Sequence, residues 1–410
     1  MPVYLHPGVY VEERPGVPPI AGVGTSTAAF IGVVDTAAPF TMPLKPVEPG
    51  QQPSRYAMPT MDTPELVTNF GQFVTKFGDF QAGNERIAHS VYGFFQNGGT
   101  RCYVVAVAPP AANAAPDIGA ALTALGRIDD VAIVAMPGAD PATNNTIAQH
   151  CETLKDRVAV LDAVDSDDVG AAANLRGNGL GPSNYASLYY PRIKVENLTL
   201  VSDTNTPIEQ WKRDPDPTNR FHFVPPSGHV AGIFARVDAE RGVHKAPANE
   251  VVRGAVGLKL QVTDGEQDGL NPVGINVIRE FNGSIKVWGA RTLGGDANGE
   301  FKYISVRRLM NFMRESIDEG TQFAVFEPNN TALWQRIRRS VTGFLTLVWR
   351  DGALFGTTPE EAFYVKCDET TNPPEVRELG QVITEIGVAV VKPAEFVIFR
   401  IQQVASIQQG

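Results

Sequence analysis

Three short apolar runs constrain the fold of this chain more than any other feature. They are CYVVAVA at 102–108, VAIVAMPG at 131–138 and RVAVLDAV at 157–164, and residues around 142–155 between the last two have helical character. Strands that are apolar on both faces are typical of a sheet covered by helices on both sides. Alternation of such strands with helices favours an α/β (α+β) fold with a mixed, partly parallel sheet.

The flanking segments extend this pattern. TSTAAFIGVVD at 25–35 and SLYYPRIKV at 187–195 predict two more strands. Residues 64–95 have helical spacing, and Thr63 followed by Pro64 resembles a helix N-cap with proline at the first helical position.

Two polar segments that are rich in proline separate these elements. They cover 36–60 and 202–229 and predict loop-rich insertions.

The pattern changes near residue 276, where strands and helices begin to alternate again. VRRLMNFMRESIDEG at 306–320 predicts a helix, QFAVFEP at 322–328 a strand, and residues 331–352 a long amphipathic helix that Asn330 or Thr331 caps. The apolar stripe of the long helix consists of Leu333, Trp334, Ile337, Val341, Phe344, Leu345 and Val348.

Neither end of the chain has the pattern of a self-contained element. Residues 1–20 contain five prolines, which exclude a helix and predict an extended arm whose strand-like part is Val9, Tyr10 and Val11. The last stretch, 388–404, is β-rich and interrupted by a proline, and its final strand has two apolar faces, typical of a strand buried on both sides. The side chains that form these two faces are Phe396, Val397, Ile398, Phe399 and Ile401. A free strand edge favours pairing with another chain, so we predict strand addition between subunits at both ends.

Composition excludes several classes of protein. The net charge of −10 disfavours a nucleic-acid coat, so we expect no nucleic-acid partner. The three cysteines are far apart and predict neither a zinc site nor a disulfide framework. We expect no signal peptide and no membrane insertion, because the first residues lack basic and apolar regions and no run of 18 apolar residues occurs.

No enzyme motif is found in the sequence. A phosphate loop, a GxSxG elbow and an HExxH pair are all missing, so we predict a protein that is not an enzyme and needs no cofactor or metal. The nearest candidate for nucleophilic chemistry is the loop group Ser227, His222, His229 and Asp238. An α/β hydrolase-like or ligand-binding domain therefore remains the alternative function.

Several segments together resemble the contractile sheath proteins of phage tails and of related extracellular injection systems. The opening PGVYVEERPGVPPIAGVGTSTAAFIG and the segment GFFQNGGTRCYVVAV at 93–107 are similar to that family. PPSGHVAGIFARVDAERGVHKAPANE at 225–250 resembles its central motif, and much of 276–401 resembles its C-terminal domain.

This resemblance implies a domain organisation. Residues 1–20 would form an N-terminal linker arm, 21–275 an outer sheath domain, 276–388 an inner domain that faces a tube, and 389–410 a C-terminal linker arm. The arms would add strands to neighbouring subunits.

The resemblance also implies a function. Subunits would form six-membered rings stacked around an inner tube protein, with baseplate and terminal cap proteins as further partners. The sheath would be held in a metastable extended state and would contract to drive the tube through a target envelope. Such proteins would assemble in the bacterial cytoplasm, as part of a phage tail or of a released or cell-associated particle. Arg336, Arg338 and Arg339 on the long helix are the residues that we expect to contact the tube.

Overall fold

The structure is a computed structural model that describes residues 19–35, 44–112, 114–203 and 205–400. The strands are β1 (Ala28–Val33), β2 (Glu65–Val67), β3 (Cys102–Val107), β4 (Ile133–Ala135), β5 (Val158–Asp162), β6 (Ala186–Tyr190), β7 (Ile193–Glu196), β8 (Leu200–Ser202), β9 (Trp211–Arg213), β10 (Phe221–Val224), β11 (Glu250–Val251), β12 (Ala255–Leu258), β13 (Ile275–Phe281), β14 (Ser284–Val287), β15 (Phe363–Lys366) and β16 (Glu385–Val388). The helices are α1 (Phe70–Phe77), α2 (Glu85–Gln96), α3 (Gly119–Leu125), α4 (Pro141–Leu154), α5 (Ala172–Arg176), α6 (Ser227–Arg241), α7 (Asp264–Leu270), α8 (Ile304–Gly320), α9 (Thr331–Arg350), α10 (Pro359–Ala362) and α11 (Pro374–Glu378).

The described chain divides into two compact units. The sheet unit comprises Val23–Phe312 with residues 391–400, and the small unit comprises residues 19–22 with Met313–Val390. This division falls inside α8, whereas the sequence placed a boundary at residue 276. The strands β13 and β14, which follow residue 275, hydrogen-bond into the main sheet and therefore lie in the sheet unit.

The sheet unit is built on a nine-stranded mixed sheet, as the apolar runs predicted. Its strand order is β11-β14-β13-β6-β5-β4-β1-β3-β2, and the consecutive pairs from β13 to β3 are parallel. Ala28 and Phe30 of β1 point into one apolar cluster, and Ala29 and Ile31 point into the other. The two clusters lie on opposite faces because successive side chains of a strand alternate between faces.

Helices α2 and α6 cover one face of the sheet, and their backbones pack against each other at very short distance. A Cβ atom on Gly228 would lie 2.5 Å from the carbonyl oxygen of Ser90, and one on Gly232 would lie 2.4 Å from that of Phe94. Only glycine permits this approach of the two helix backbones. The motif around residue 228 that resembles the sheath family therefore has a packing role.

Four predicted elements differ in the structure. The helix start predicted at Thr63 is wrong, because residues 65–67 form β2 and α1 begins after Asn69, whose side chain accepts a hydrogen bond from the Gln72 N–H. The rest of the predicted helical segment 64–95 contains α1 and most of α2. The strand at 187–195 is two strands, β6 and β7, which lie in different sheets.

The other two differences concern a loop and a strand. The predicted loop 202–229 contains β9, β10 and the start of α6. The predicted strand 322–328 is a short 3-10 helix at Gln322–Ala324 followed by irregular chain. In 202–229, pairing of β9 with β8 and of β10 with β7 decided the outcome. The segment 322–328 has no strand partner among the described residues.

The small unit is organised around α9. All seven side chains of the predicted apolar stripe are buried, and the Asn330 side chain caps the helix by accepting from the Leu333 N–H at 3.1 Å. Strand β15 packs on this helix.

Candidate assembly surfaces

The small unit contains an antiparallel sheet of only two strands. Phe363 at the start of β15 lies opposite Val388 at the end of β16, and Lys366 lies opposite Glu385. Within the described residues no third strand joins this sheet. Sheets of this size gain stability by adding strands, since a lone pair of strands is marginal in water.

Among the residues that the structure describes, both edges of the two-stranded sheet carry backbone groups without a partner. The Ala389 N–H donates to the Ala362 carbonyl at 2.8 Å, which identifies that pair as a hydrogen-bonded one. Because hydrogen-bonded and non-hydrogen-bonded pairs alternate in an antiparallel ladder, Val365 and Ile386 direct their N–H and carbonyl groups away from the partner strand. Each strand therefore presents an edge to which another strand can bind.

An apolar groove lies beside β16. It has a volume of ≈ 660 Å³. Its apolar lining comes from α8, α9, β16 and the loop after the short 3-10 helix, with Ile317, Val325, Phe326, Ile337, Val341 and Ile386 as principal side chains. No residue of β15 lines the groove, so it lies on the β16 side of the sheet.

One residue at this groove has an unusual backbone conformation. Phe326 has a φ of 63° and a fully exposed side chain. A bulky residue rarely adopts this region, and such strain is often kept at binding sites. An open strand edge beside an apolar floor provides the two parts of a strand-addition site.

The C-terminal segment 391–400 has no regular secondary structure. The side chains of Phe396, Val397, Ile398 and Phe399 are 70%, 70%, 78% and 84% exposed. The predicted strand does not form within this chain, because no strand among the described residues pairs with it. Its burial by a neighbouring copy stays a prediction. Ile401 lies outside the described residues, as do Val9, Tyr10 and Val11 of the N-terminal arm.

The three arginines of α9 that the sequence predicted to contact the tube differ in their surroundings. The guanidinium of Arg336 lies 4.2 Å from the ring centroid of Phe323, and this side chain is half-buried. Arg338 and Arg339 are exposed. The predicted basic cluster thus consists of two exposed charges and one that packs on an aromatic ring.

The loop group that could have supported nucleophilic chemistry is not assembled. Ser227 Oγ donates to Asp162 at 2.6 Å, and the Asp238 carboxylate pairs with Arg308. His222 pairs with Glu85, and His229 is buried against Gly93 of α2. Ser227, His222 and Asp238 each have a separate polar partner and His229 is packed against α2, so the structure does not place a nucleophile and a base together.

Neither a metal site nor a membrane span emerges from the described part of the chain. No three potential ligands from His, Cys, Asp or Glu come together there. None of its helices combines the length and the apolar character needed to cross a bilayer.

Two family models match the chain. The phage tail sheath protein central domain matches residues 111–293, and the phage tail sheath C-terminal domain matches residues 296–404. The tail sheath protein of Vibrio phage KVP40 is 29% identical over 235 residues, which are 55% of this chain and 33% of that protein. The chain therefore matches only about a third of the length of this curated relative.

Solved structures cover the chain more completely. The sheath of the extracellular contractile injection system PVC in its contracted state has a TM-score of 0.72 at 28% identity, covering 98% of this chain and 99% of that one. The contracted helical sheath of the anti-feeding prophage also has a TM-score of 0.72, at 26% identity, covering 98% of this chain and 100% of that one. These matches define a mixed α/β structural protein of the contractile-tail class. The chain belongs to the phage tail sheath protein family.

The apolar groove beside β16 was not predicted from the sequence. Strand β16, which borders the groove, is the short segment Glu385–Val388. It ends where the predicted β-rich run 388–404 begins. Gly387 was the only cue to this strand pair in the sequence, since a glycine within a strand often marks close packing. In the structure a Cβ atom at Gly387 would lie 2.1 Å from the ring of Tyr364, which lies opposite it on β15.

Proposed function

We propose that this chain is a subunit of a contractile sheath, which polymerises around an inner tube and shortens to drive that tube through a target envelope. The proposal rests on a mismatch within one molecule: one part can accept an added strand, and another part is a strand-like segment without a partner. The small unit has a two-stranded sheet with open edges beside an apolar groove. The same chain has an exposed apolar segment at 396–399 that has no strand partner of its own.

Strand addition between copies resolves this mismatch. A strand of about six residues forms several backbone hydrogen bonds, each contributing about 0.5–1.5 kcal/mol net. Each large apolar side chain that becomes fully buried adds about 1.5–3 kcal/mol. Part of this gain is offset by the entropy of ordering the arm, so a single contact is of moderate strength. The sum over a polymer is large.

The same contacts explain how a sheath could contract without nucleotide. An extended assembly that is kinetically trapped stores free energy, and a trigger at one end releases it. Compact units then move as rigid bodies while the arms keep neighbours connected. The names of the PVC and anti-feeding prophage structures, which are sheaths in a contracted state, support this mechanism.

The proposal includes the assembly partners that the family resemblance implies. Subunits form six-membered rings stacked around an inner tube protein, between a baseplate and a terminal cap. Arg338 and Arg339 contact the tube, since both are exposed on the polar side of α9. Assembly takes place in the bacterial cytoplasm, and the product is part of a phage tail or a contractile particle.

Deletion of residues 396–410 tests the proposal. We expect the truncated protein to remain folded, because the removed side chains of 396–399 are exposed, but to form no hollow cylinders. Deletion of 405–410 is the matched control, since it keeps the apolar segment. Circular dichroism checks folding and electron microscopy checks assembly. Contractile cylinders built from the 396–410 deletion would overturn the strand-addition proposal.

A further inference from the structure

The exposed C-terminal segment is held by one side chain. Among the described residues 391–400, only Glu395 takes part in a hydrogen bond or an ion pair. The apolar side chains that follow it are largely solvated and cannot hold the segment in place. The position of this segment on the sheet unit therefore depends on Glu395.

The carboxylate of Glu395 is bound by three residues of the sheet unit. Arg291 grips it in a bidentate manner, with Nε donating to Oε1 at 2.8 Å and Nη2 donating to Oε2 at 2.9 Å. Asn271 Nδ2 donates to Oε1 at 2.7 Å, and Tyr303 Oη donates to Oε2 at 2.9 Å. Bidentate contacts between arginine and a carboxylate are strong and directional, so they fix orientation as well as position.

The binding site for this carboxylate is rigid. The Arg291 side chain is 2% exposed, and its Nη1 donates to the Asn271 carbonyl at 2.9 Å. The buried Asn276 side chain holds the Arg291 backbone on both sides, accepting from its N–H at 2.7 Å and donating to its carbonyl at 2.8 Å. Asp296 offers Arg291 a second carboxylate at 3.0 Å. Arg291 therefore keeps hydrogen-bond partners even when Glu395 is absent.

The electrostatics of the site favour the ionised carboxylate. Burial by itself would raise the pKa of Glu395, but hydrogen bonds from Arg291, Asn271 and Tyr303 outweigh it and lower the pKa below the ordinary value. The contact therefore persists at neutral pH. It is stronger than an exposed surface pair because the Arg291 guanidinium is shielded from water.

We propose that Glu395 is a positioning residue, which fixes the point and direction in which residues 396–399 leave the sheet unit. A second copy of this chain then binds a segment whose starting position is already fixed. This inference rests on the proposed function and adds to it a determinant of assembly outside the strand-addition site. A segment fixed at one end loses less conformational entropy on binding than a free one. Removal of the anchor lowers the affinity between copies without removing any contact that they make.

A graded series of variants tests the inference. Glu395→Ala removes all four hydrogen bonds, Glu395→Gln removes the charge but keeps the shape, and Tyr303→Phe removes one bond. Hydrogen bonds to charged groups are typically worth about one tenfold step in an equilibrium constant or somewhat more. We therefore expect Glu395→Ala to raise the minimum protein concentration for sheath growth by about tenfold, with smaller increases for Glu395→Gln and then Tyr303→Phe. Glu48→Ala, at an exposed glutamate of the sheet unit, is the control and should leave this concentration unchanged.

A second readout reports on the segment itself. A nitroxide label on Val397→Cys should give a broader spectrum in the otherwise unchanged monomer than in the Glu395→Ala monomer, because the anchor restricts motion. Equal spectra and equal growth concentrations would overturn the inference. If unsubstituted protein forms no sheath at all, the proposed function fails, whereas sheath growth that is indifferent to Glu395 refutes only the anchor. Thermal melting of each monomer confirms that the substitutions leave the fold intact.

Discussion

The nine-stranded sheet and the two-stranded sheet differ in how their edges and faces are covered. In the sheet unit, the strands at the two ends of the sheet are short, with two residues in β11 and three in β2, and apolar clusters fill both faces. In the small unit, β15 and β16 are each four residues long, and a groove lies beside β16. No further strand from the described part of the chain covers either edge. The short edge strands of the first sheet leave little backbone for another chain to pair with, whereas the strands of the second sheet leave theirs accessible.

This difference separates stability from assembly. A unit whose core is closed can move as a rigid body, because close-packed interiors resist deformation. A unit with an open sheet edge has unused hydrogen-bonding capacity, which a neighbouring copy can use. Three changes can break or sharpen the comparison.

Acidification should have the largest effect, and it should act on the sheet unit. Burial lowers the pKa of His89 to about 4 and that of His229 to about 3, with the neighbouring positive charge of His222 acting on His89 in the same direction and His89 itself acting on His229. Both rings are neutral in the folded state above these values, whereas an unfolded histidine binds a proton near pH 6.5. The free energy of unfolding should therefore fall as the pH decreases from about 6.5 to about 4, by about 1.4 kcal/mol per pH unit for each histidine.

His222 opposes this trend. Its hydrogen bond to Glu85 raises the pKa of His222 despite partial burial, so this pair contributes stability at low pH and loses it as the pH rises. The small unit has no histidine between Met313 and Val390. Hydrogen exchange at pH 7 and pH 5, corrected for intrinsic rates, should show loss of protection in the sheet unit first. His89→Gln should reduce the pH dependence. Equal losses of protection in both units would contradict the comparison.

Ile386→Pro should abolish assembly with little effect on the monomer. The Ile386 N–H is directed away from β15, so proline removes a donor that only an added strand would use. We expect the free energy of unfolding to change by less than about 1 kcal/mol, which urea titration can measure, and cylinders to disappear in electron micrographs. Ile386→Val keeps the N–H and is the control. Normal cylinders from the proline variant would show that the β16 edge is not the acceptor.

The arginines of α9 should give the smallest effect on stability and should divide into two groups. Arg336→Ala should cost about 0.5–1 kcal/mol, because it removes the contact with the Phe323 ring. Substitution of Arg338 and Arg339 by Glu should leave monomer stability unchanged but prevent co-assembly with the tube protein. Sedimentation of sheath with tube measures this result. Co-assembly that survives the double charge reversal would remove these residues from the tube contact.

Much of the fold could be predicted because its signals are local. The apolar runs that became β3, β4 and β5 are buried on both faces, and strands of that kind require covering layers whatever the rest of the chain does. The α9 stripe and its Asn330 cap were also visible, since both depend on residues one helical turn apart.

The candidate site could be predicted only in part. The exposed apolar segment could be predicted because both faces of its strand pattern are apolar. The β16 edge and the groove were missed, because they arise where α8, α9 and β16 come together across distant parts of the sequence. Arg336 shows the same limit, since only the fold places it against Phe323.

The sequence by itself determined a mixed α/β core and predicted an apolar strand-like segment near the C-terminus, because periodicity and apolar composition act over a few residues. Only the tertiary structure decided where an added strand can bind and how Glu395 is held. Those features depend on backbone groups left unpaired by the fold and on side chains that are far apart in the chain, which local patterns do not encode.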